Sequence, residues 1–141
     1  MTYSCQTWAQ QNSRVPNTIS RLQNIAMRII SFSDFNDDTD PIYKSLKVLK
    51  LKDFITLQNC LFVHDFIKEK LPSCFSNFFT PITTVGNKST QNAKLGCLFI
   101  QHSNTTKYGL NSTTRKCINN WNFFSKTLNI DLSSISRICL K

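Results

Sequence analysis

The chain has 141 residues and a net charge of +9, a length typical of one domain of roughly 100–200 residues. Three glycines and four prolines exclude a collagen-like or linker sequence and disfavour a fold of many tight turns. No apolar run reaches the roughly 20 residues of a membrane-spanning helix, and the first residues lack the apolar segment of a signal peptide. We therefore expect one mainly helical domain over residues 1–141, in a reducing intracellular compartment, with no membrane partner.

Two helices are predicted in the first third of the chain. The first covers residues 17–30, where apolar residues recur with helical spacing along one face that we expect to be buried: Ile19, Leu22, Ala26, Ile29 and Ile30. A polar, acidic segment follows. The second helix is short and runs to Leu46 or Val48, with Asp40 predicted as its N-cap and Pro41 as its first helical residue.

The strongest helical pattern covers residues 51–70 and is predicted to form the centre of the core, with Phe54, Leu61 and Phe62 buried. The sequence Leu71-Pro72 is expected to end this helix, because a residue that precedes proline is disfavoured in the helical region. A further helical turn is predicted at 73–79, where three phenylalanines would cluster.

The second half of the chain begins with a predicted loop at 80–94. Residues 95–100 form an apolar run that predicts a short strand, and residues 105–108 could pair with it as a β-hairpin-like element near 95–109. A last helix is predicted over 112–128, with an apolar stripe formed by Cys117, Ile118, Trp121, Phe124 and Leu128. The predicted fold class is therefore mainly α with one small β element.

Charge is distributed unevenly along the chain. Residues 1–70 carry nine Lys and Arg against seven Asp and Glu, whereas residues 71–141 carry eight against the single Asp131. Such an excess favours a polyanionic partner, and nucleic acid is the commonest one. Lys107, Arg115 and Lys116 have no acidic residue within ten positions and are the predicted nucleic-acid contacts. A merely solvated basic surface remains the alternative.

Two residue sets have side chains suited to metal or catalytic chemistry. Asp37 and Asp38 follow an aromatic residue, as in polymerase metal-binding turns, but a capped loop is the better interpretation because no strand follows them. Cys60 and His64 could share a zinc ion with Cys97 and His102, although neither pair has the spacing of a structural zinc site. We expect no enzymatic activity in this chain, no metal and no cofactor.

The order of several short motifs resembles one protein family. The motifs are Tyr3-x-Cys5-x-x-Trp8, LQNIAMRII at 22–30, DPIYKSLKVLKLKDFITLQNCLFVHDF at 40–66, LP at 71–72, GCLFI at 96–100, NTTKYGL at 104–110 and CINNWN at 117–122. Together they resemble the region downstream of the reverse transcriptase core in LINE-type (non-LTR, jockey-like) retrotransposon polyproteins. The resemblance spans about Tyr3 to Leu140.

The resemblance implies a thumb-like or C-terminal helical segment of a larger RNA-directed DNA polymerase. The catalytic carboxylates of such a polymerase would lie in an upstream core, so the resemblance assigns no catalytic residue to this chain. The expected role is contact with template RNA or the primer–template duplex. The alternatives are a structural packing module and a decayed retroelement fragment with no independent function.

Overall fold

The computed structural model describes residues 14–82, 91–99 and 112–135, and their fold is mainly helical, as predicted. The chain forms two compact units, Met1–Ile55 and Thr56–Lys141, which are described separately. The helices are α1 (Arg14–Ser31), α2 (Asp40–Ser45), α3 (Leu51–Ile67), α4 (Gln91–Lys94) and α5 (Thr113–Leu128). Within the described ranges, no helix combines the length and the apolar content that a membrane crossing requires.

The core of the first unit is small and consists of Met27 from α1 with Ile42 and Tyr43 from α2. The Tyr43 hydroxyl donates a hydrogen bond to Asn24 Oδ1 at 2.8 Å. The side-chain amide of Gln23 bridges two backbone groups further along the chain, since its Nε2 donates to the carbonyl of Leu49 and its Oε1 accepts from the N–H of Leu51. Polar side chains therefore fix α1 against the segment that leads into α3.

The predicted burial of the α1 stripe is wrong for most of its members. Leu22, Ile29 and Ile30 are between 60% and 69% exposed. At about 100° per residue, Met27 lies about 140° around α1 from Leu22 and about 160° from Ile29, whereas Gln23 lies beside Ile30. The helix packs through Met27, Asn24 and Gln23, which make the contacts described above, and Leu22 and Ile29 face outward.

The start of α2 differs from the prediction by one residue. Thr39 is the N-cap, without a side-chain capping hydrogen bond, and Asp40 is already helical. The N–H of Asp40 donates to Asp38 Oδ1 at 3.1 Å, so the preceding aspartate takes part of the capping role. Asp40 itself forms an ion pair with Lys50, which holds the pKa of the Asp40 carboxyl below its usual range.

The core of the second unit is built from α3, α5 and the short elements between them. Its largest cluster contains eight buried residues, namely Cys60, Val63, Phe79, Leu98, Cys117, Ile118, Trp121 and Leu132. Leu61 is 3% exposed, which confirms its predicted burial. Phe54 and Phe62 are half-buried, so their predicted full burial is wrong. Leu128, the last residue of the predicted apolar stripe of α5, is exposed because the helix ends there.

The predicted helical turn after α3 is confirmed as a 3₁₀ helix at Ser73–Phe75. It brings a group of phenylalanine rings into edge-to-face contact, as aromatic pairs prefer. The ring centroids of Phe62 and Phe75 are 5.6 Å apart, and those of Phe66 and Phe79 are 5.0 Å apart. These contacts join the 3₁₀ helix and buried Phe79 to α3.

The predicted loop at 80–94 contains regular structure at both ends. Strand β1 (Thr80–Pro81) pairs antiparallel with β2 (Leu98–Phe99), with Thr80 opposite Phe99 and Pro81 opposite Leu98. The apolar run at 95–100 thus contains a strand, as predicted. The strand that pairs with it, β1, precedes it in the chain. The predicted partner at 105–108 lies outside the described residues.

Four described helices end in a Schellman motif whose left-handed residue is not glycine. The left-handed residues are Phe32, Lys47, Glu69 and Asn129, with φ between 52° and 54°. At the end of α3, for example, the N–H of Lys70 donates to the carbonyl of Asp65, and the N–H of Glu69 to that of Phe66. This motif ends α3 at Ile67, three residues before the predicted end at 70. The helix has therefore already ended before Leu71-Pro72, the predicted stop.

Candidate nucleic-acid interface

The first turn of α5 carries two of the three predicted nucleic-acid contacts, Arg115 and Lys116. Ser112 is the N-cap in an extended conformation, and its hydroxyl accepts a hydrogen bond from the N–H of Arg115 at 3.4 Å. The first turn has no acidic residue. Because the helix dipole makes a helix N-terminus favourable for anions, the turn combines this feature with two cationic side chains.

Arg115 and Lys116 are both half-buried. Burial lowers the pKa of the Lys116 ammonium, since a charge with less water around it is less stable. An ammonium that has already lost part of its hydration shell loses less water when it contacts a phosphate. The two residues are about 100° apart around α5 and so flank its N-terminus from two sides.

Lys107, the third predicted contact, lies outside the described residues and stays a prediction. A second basic group lies in the first unit and consists of Lys44, Lys47, Lys50 and Lys52. It is partly neutralised, because Lys50 pairs with Asp40. Lys44 and Lys47 are exposed. Unlike segment 40–53, which contains Asp40 and Asp53, the first turn of α5 has no acidic residue.

Three side-chain hydrogen bonds hold α5 in place. The indole Nε1 of Trp121 donates to the carbonyl of Gly96 at 3.0 Å. The side-chain amide of Asn122 makes two bonds to Leu98: its Oδ1 accepts from the N–H at 2.8 Å and its Nδ2 donates to the carbonyl at 2.9 Å. Trp121 is fully buried, so it packs in the core and does not stack on bases.

The sequence pointed to Arg115 and Lys116 but did not identify the backbone part of the site. The missed residues are Ser112, Thr113 and Thr114, which cap or open the helix. The signal that could have found them is the run Ser-Thr-Thr immediately before the two basic residues, since serine is a preferred N-cap and hydroxyls are common phosphate contacts.

The alternative catalytic and metal sites are occupied by structural contacts. Asp37 Oδ2 accepts from the N–H of Asp34 at 2.9 Å, which is the bonding of a capped loop. His64 is 2% exposed, and its Nε2 lies 3.0 Å from the carbonyl oxygen of Ile135. Burial raises the pKa of the Cys60 thiol to about 11. His102 lies outside the described residues. Within the described ranges, no three His, Cys, Asp or Glu side chains are grouped to hold a metal ion.

Comparison with known proteins gives no further assignment. No protein-family model, no curated protein and no solved structure matches the chain.

Proposed function

We propose that this chain is a non-catalytic segment of a LINE-type retrotransposon reverse transcriptase that contacts template RNA or the primer–template duplex. The resemblance in motif order supports the family, and the +7 charge of residues 71–141 supports a polyanionic partner. The observation that carries the proposed contact is the first turn of α5, where Arg115 and Lys116 flank an acid-free helix N-terminus.

Binding at this site would be directed at the phosphate backbone. Arg115 and Lys116 would contact phosphate oxygens, while the backbone N–H groups at the start of α5 favour the same negative charge. Contacts of this kind fix the position of a nucleic acid and carry no information about its sequence. The proposed role is therefore to hold the duplex or template beside an upstream polymerase core, which would supply the catalytic carboxylates and metals.

The proposed contact is tested by filter binding of the purified chain to two unrelated RNAs across a salt series. Each phosphate contact contributes roughly 0.7–0.9 to the log–log dependence of affinity on salt. The double variant Arg115→Gln/Lys116→Gln should bind both RNAs more weakly, to about the same extent, and should reduce the slope by roughly 1.5.

The matched control is Lys44→Gln/Lys47→Gln, which removes the same charge from exposed lysines of the first unit. This control should keep more of the wild-type slope than the α5 variant. Equal losses from the two variants would show that only net charge matters. No affinity of the wild type at low salt would favour the packing module or the decayed fragment.

The proposed family has a separate test in the genomic sequence upstream of the codon for Met1. An in-frame polymerase palm with a Tyr/Phe-x-Asp-Asp turn would support the family. An unrelated or non-coding upstream sequence would contradict it, whatever the chain binds.

A further inference from the structure

Helix α1 presents an apolar face to solvent. This α1 apolar face consists of Leu22, Ile25, Ile29 and Ile30, which are 60%, 39%, 69% and 60% exposed. An amphipathic helix of a globular protein normally directs such a stripe toward the core. Contiguous exposed apolar surface of this kind is typical of an interaction site.

The outward orientation of this face is fixed by contacts that α1 makes opposite the face and along its edge. Met27 is buried against Ile42 and Tyr43. Asn24 accepts from the Tyr43 hydroxyl, and Gln23 bonds to backbone groups of Leu49 and Leu51. Rotating α1 to bury its apolar stripe would break all of these contacts, so the exposed face belongs to the folded first unit.

A groove opens along one edge of the α1 apolar face. It has a volume of about 440 Å³, and Leu22 and Ala26 on one side face Leu49 and Phe54 on the other. A groove of this size accepts one or two large apolar side chains. This is the geometry in which an amphipathic helix inserts anchor residues spaced at i, i+3 or i+4.

The other edge of the α1 apolar face carries arginine residues, which favour a partner with acidic residues. Residues 14–31 contain no Asp or Glu, and Arg21 lies about 40° around the helix from Ile25. Arg28 lies on the same side, where its guanidinium donates two hydrogen bonds to the carbonyl of Asp37. A partner helix that covers the face would therefore place its own flanking residues beside arginine.

These observations favour one occupant over two others. An antiparallel pair of two copies of α1 would bring equivalent edges together and set arginine against arginine. An anionic membrane would meet the exposed carboxylates of Asp34, Asp37 and Asp38 beyond the end of α1. We propose that the α1 apolar face binds an amphipathic helix of a partner protein whose apolar stripe is edged by Asp or Glu.

The proposal is tested with two synthetic fluorescein-labelled helical peptides that share a leucine face and carry either Glu or Lys along its edge. Fluorescence anisotropy should show the Glu-edged peptide binding at least about tenfold more tightly, because like charges at the edge oppose binding. Leu22→Asp should abolish binding, and Arg21→Glu should reverse the preference between the peptides. Far-UV circular dichroism of both variants should match the wild type, since both positions are exposed.

The control variant is Phe123→Asp, which removes an exposed apolar side chain from α5 in the second unit and should leave peptide binding unchanged. The proposal is overturned if neither peptide binds, or if the Leu22 and Phe123 variants bind alike. Dimerisation in light scattering, or flotation with phosphatidylserine vesicles, without peptide binding would assign the face to a second copy or to a membrane and would also overturn it. Because the test uses no nucleic acid, its outcome is independent of the proposed function.

Discussion

Replacing Gly96 with alanine should destabilise the second unit through two separable effects. Gly96 has φ +61°, in the left-handed region where a side chain costs roughly 1–2 kcal/mol. An added Cβ would also lie 2.5 Å from Asp131 Oδ1, so that carboxylate must move. The same oxygen accepts a hydrogen bond from the N–H of Ser133 at 2.9 Å, and a lost cap of this kind costs about 0.5–2 kcal/mol.

The two effects together predict a loss of about 1.5–4 kcal/mol in the free energy of unfolding. Urea denaturation followed by far-UV circular dichroism measures this loss, with an unchanged m-value as the sign that the unfolded state is unaffected. In the double variant Gly96→Ala/Asp131→Ala the clash is gone, so its cost should be smaller than the sum of the two single costs. A loss below about 1 kcal/mol for Gly96→Ala, or strict additivity in the cycle, would refute this account.

Three further predictions concern the described residues. Leu61→Ala should cost about 2–5 kcal/mol of unfolding free energy and Lys68→Ala under about 0.5 kcal/mol, because Leu61 is buried and Lys68 exposed; equal losses in urea denaturation would contradict the burial. Glu69→Gly should stabilise the chain by about 1 kcal/mol, since glycine adopts φ +54° without steric cost, and an unchanged or lower midpoint would argue against the Schellman motif. Iodoacetamide at pH 8 should modify exposed Cys74 but not Cys60 before unfolding, because Cys60 is buried and burial raises its pKa to about 11; equal labelling in peptide mass spectrometry would contradict this.

The sequence predicted α3 and α5 well because their apolar periodicity is long and regular. The ends of the helices were harder to predict. Phe32, Lys47 and Glu69 adopt left-handed conformations in which glycine is the usual signal, and a chain with three glycines gives few such signals. The short strand at Thr80–Pro81 was missed because a two-residue strand has no periodicity to detect.

The orientation of α1 shows a different limit of sequence reasoning. Periodicity identifies which residues share a face, but it does not determine which face meets the rest of the protein. Here the side-chain bonds of Gln23 and Asn24 settle that question, and no local pattern marks them. At the candidate interface, the charge distribution located Arg115 and Lys116, and apolar periodicity predicted a helix that begins near 112. The capping hydrogen bond of Ser112 emerged only from the fold.

The double hydrogen bond between Asn122 and Leu98 has a consequence for self-association. A strand at the rim of a small sheet carries N–H and C=O groups that can template pairing with a strand from another molecule. One edge of β2 pairs with β1, and on the other edge the Asn122 amide hydrogen-bonds to both backbone groups of Leu98. The Asn122 side chain therefore occupies, at Leu98, the backbone groups with which a strand from another molecule would pair. This protects the free edge of β2 from β-type aggregation at that residue.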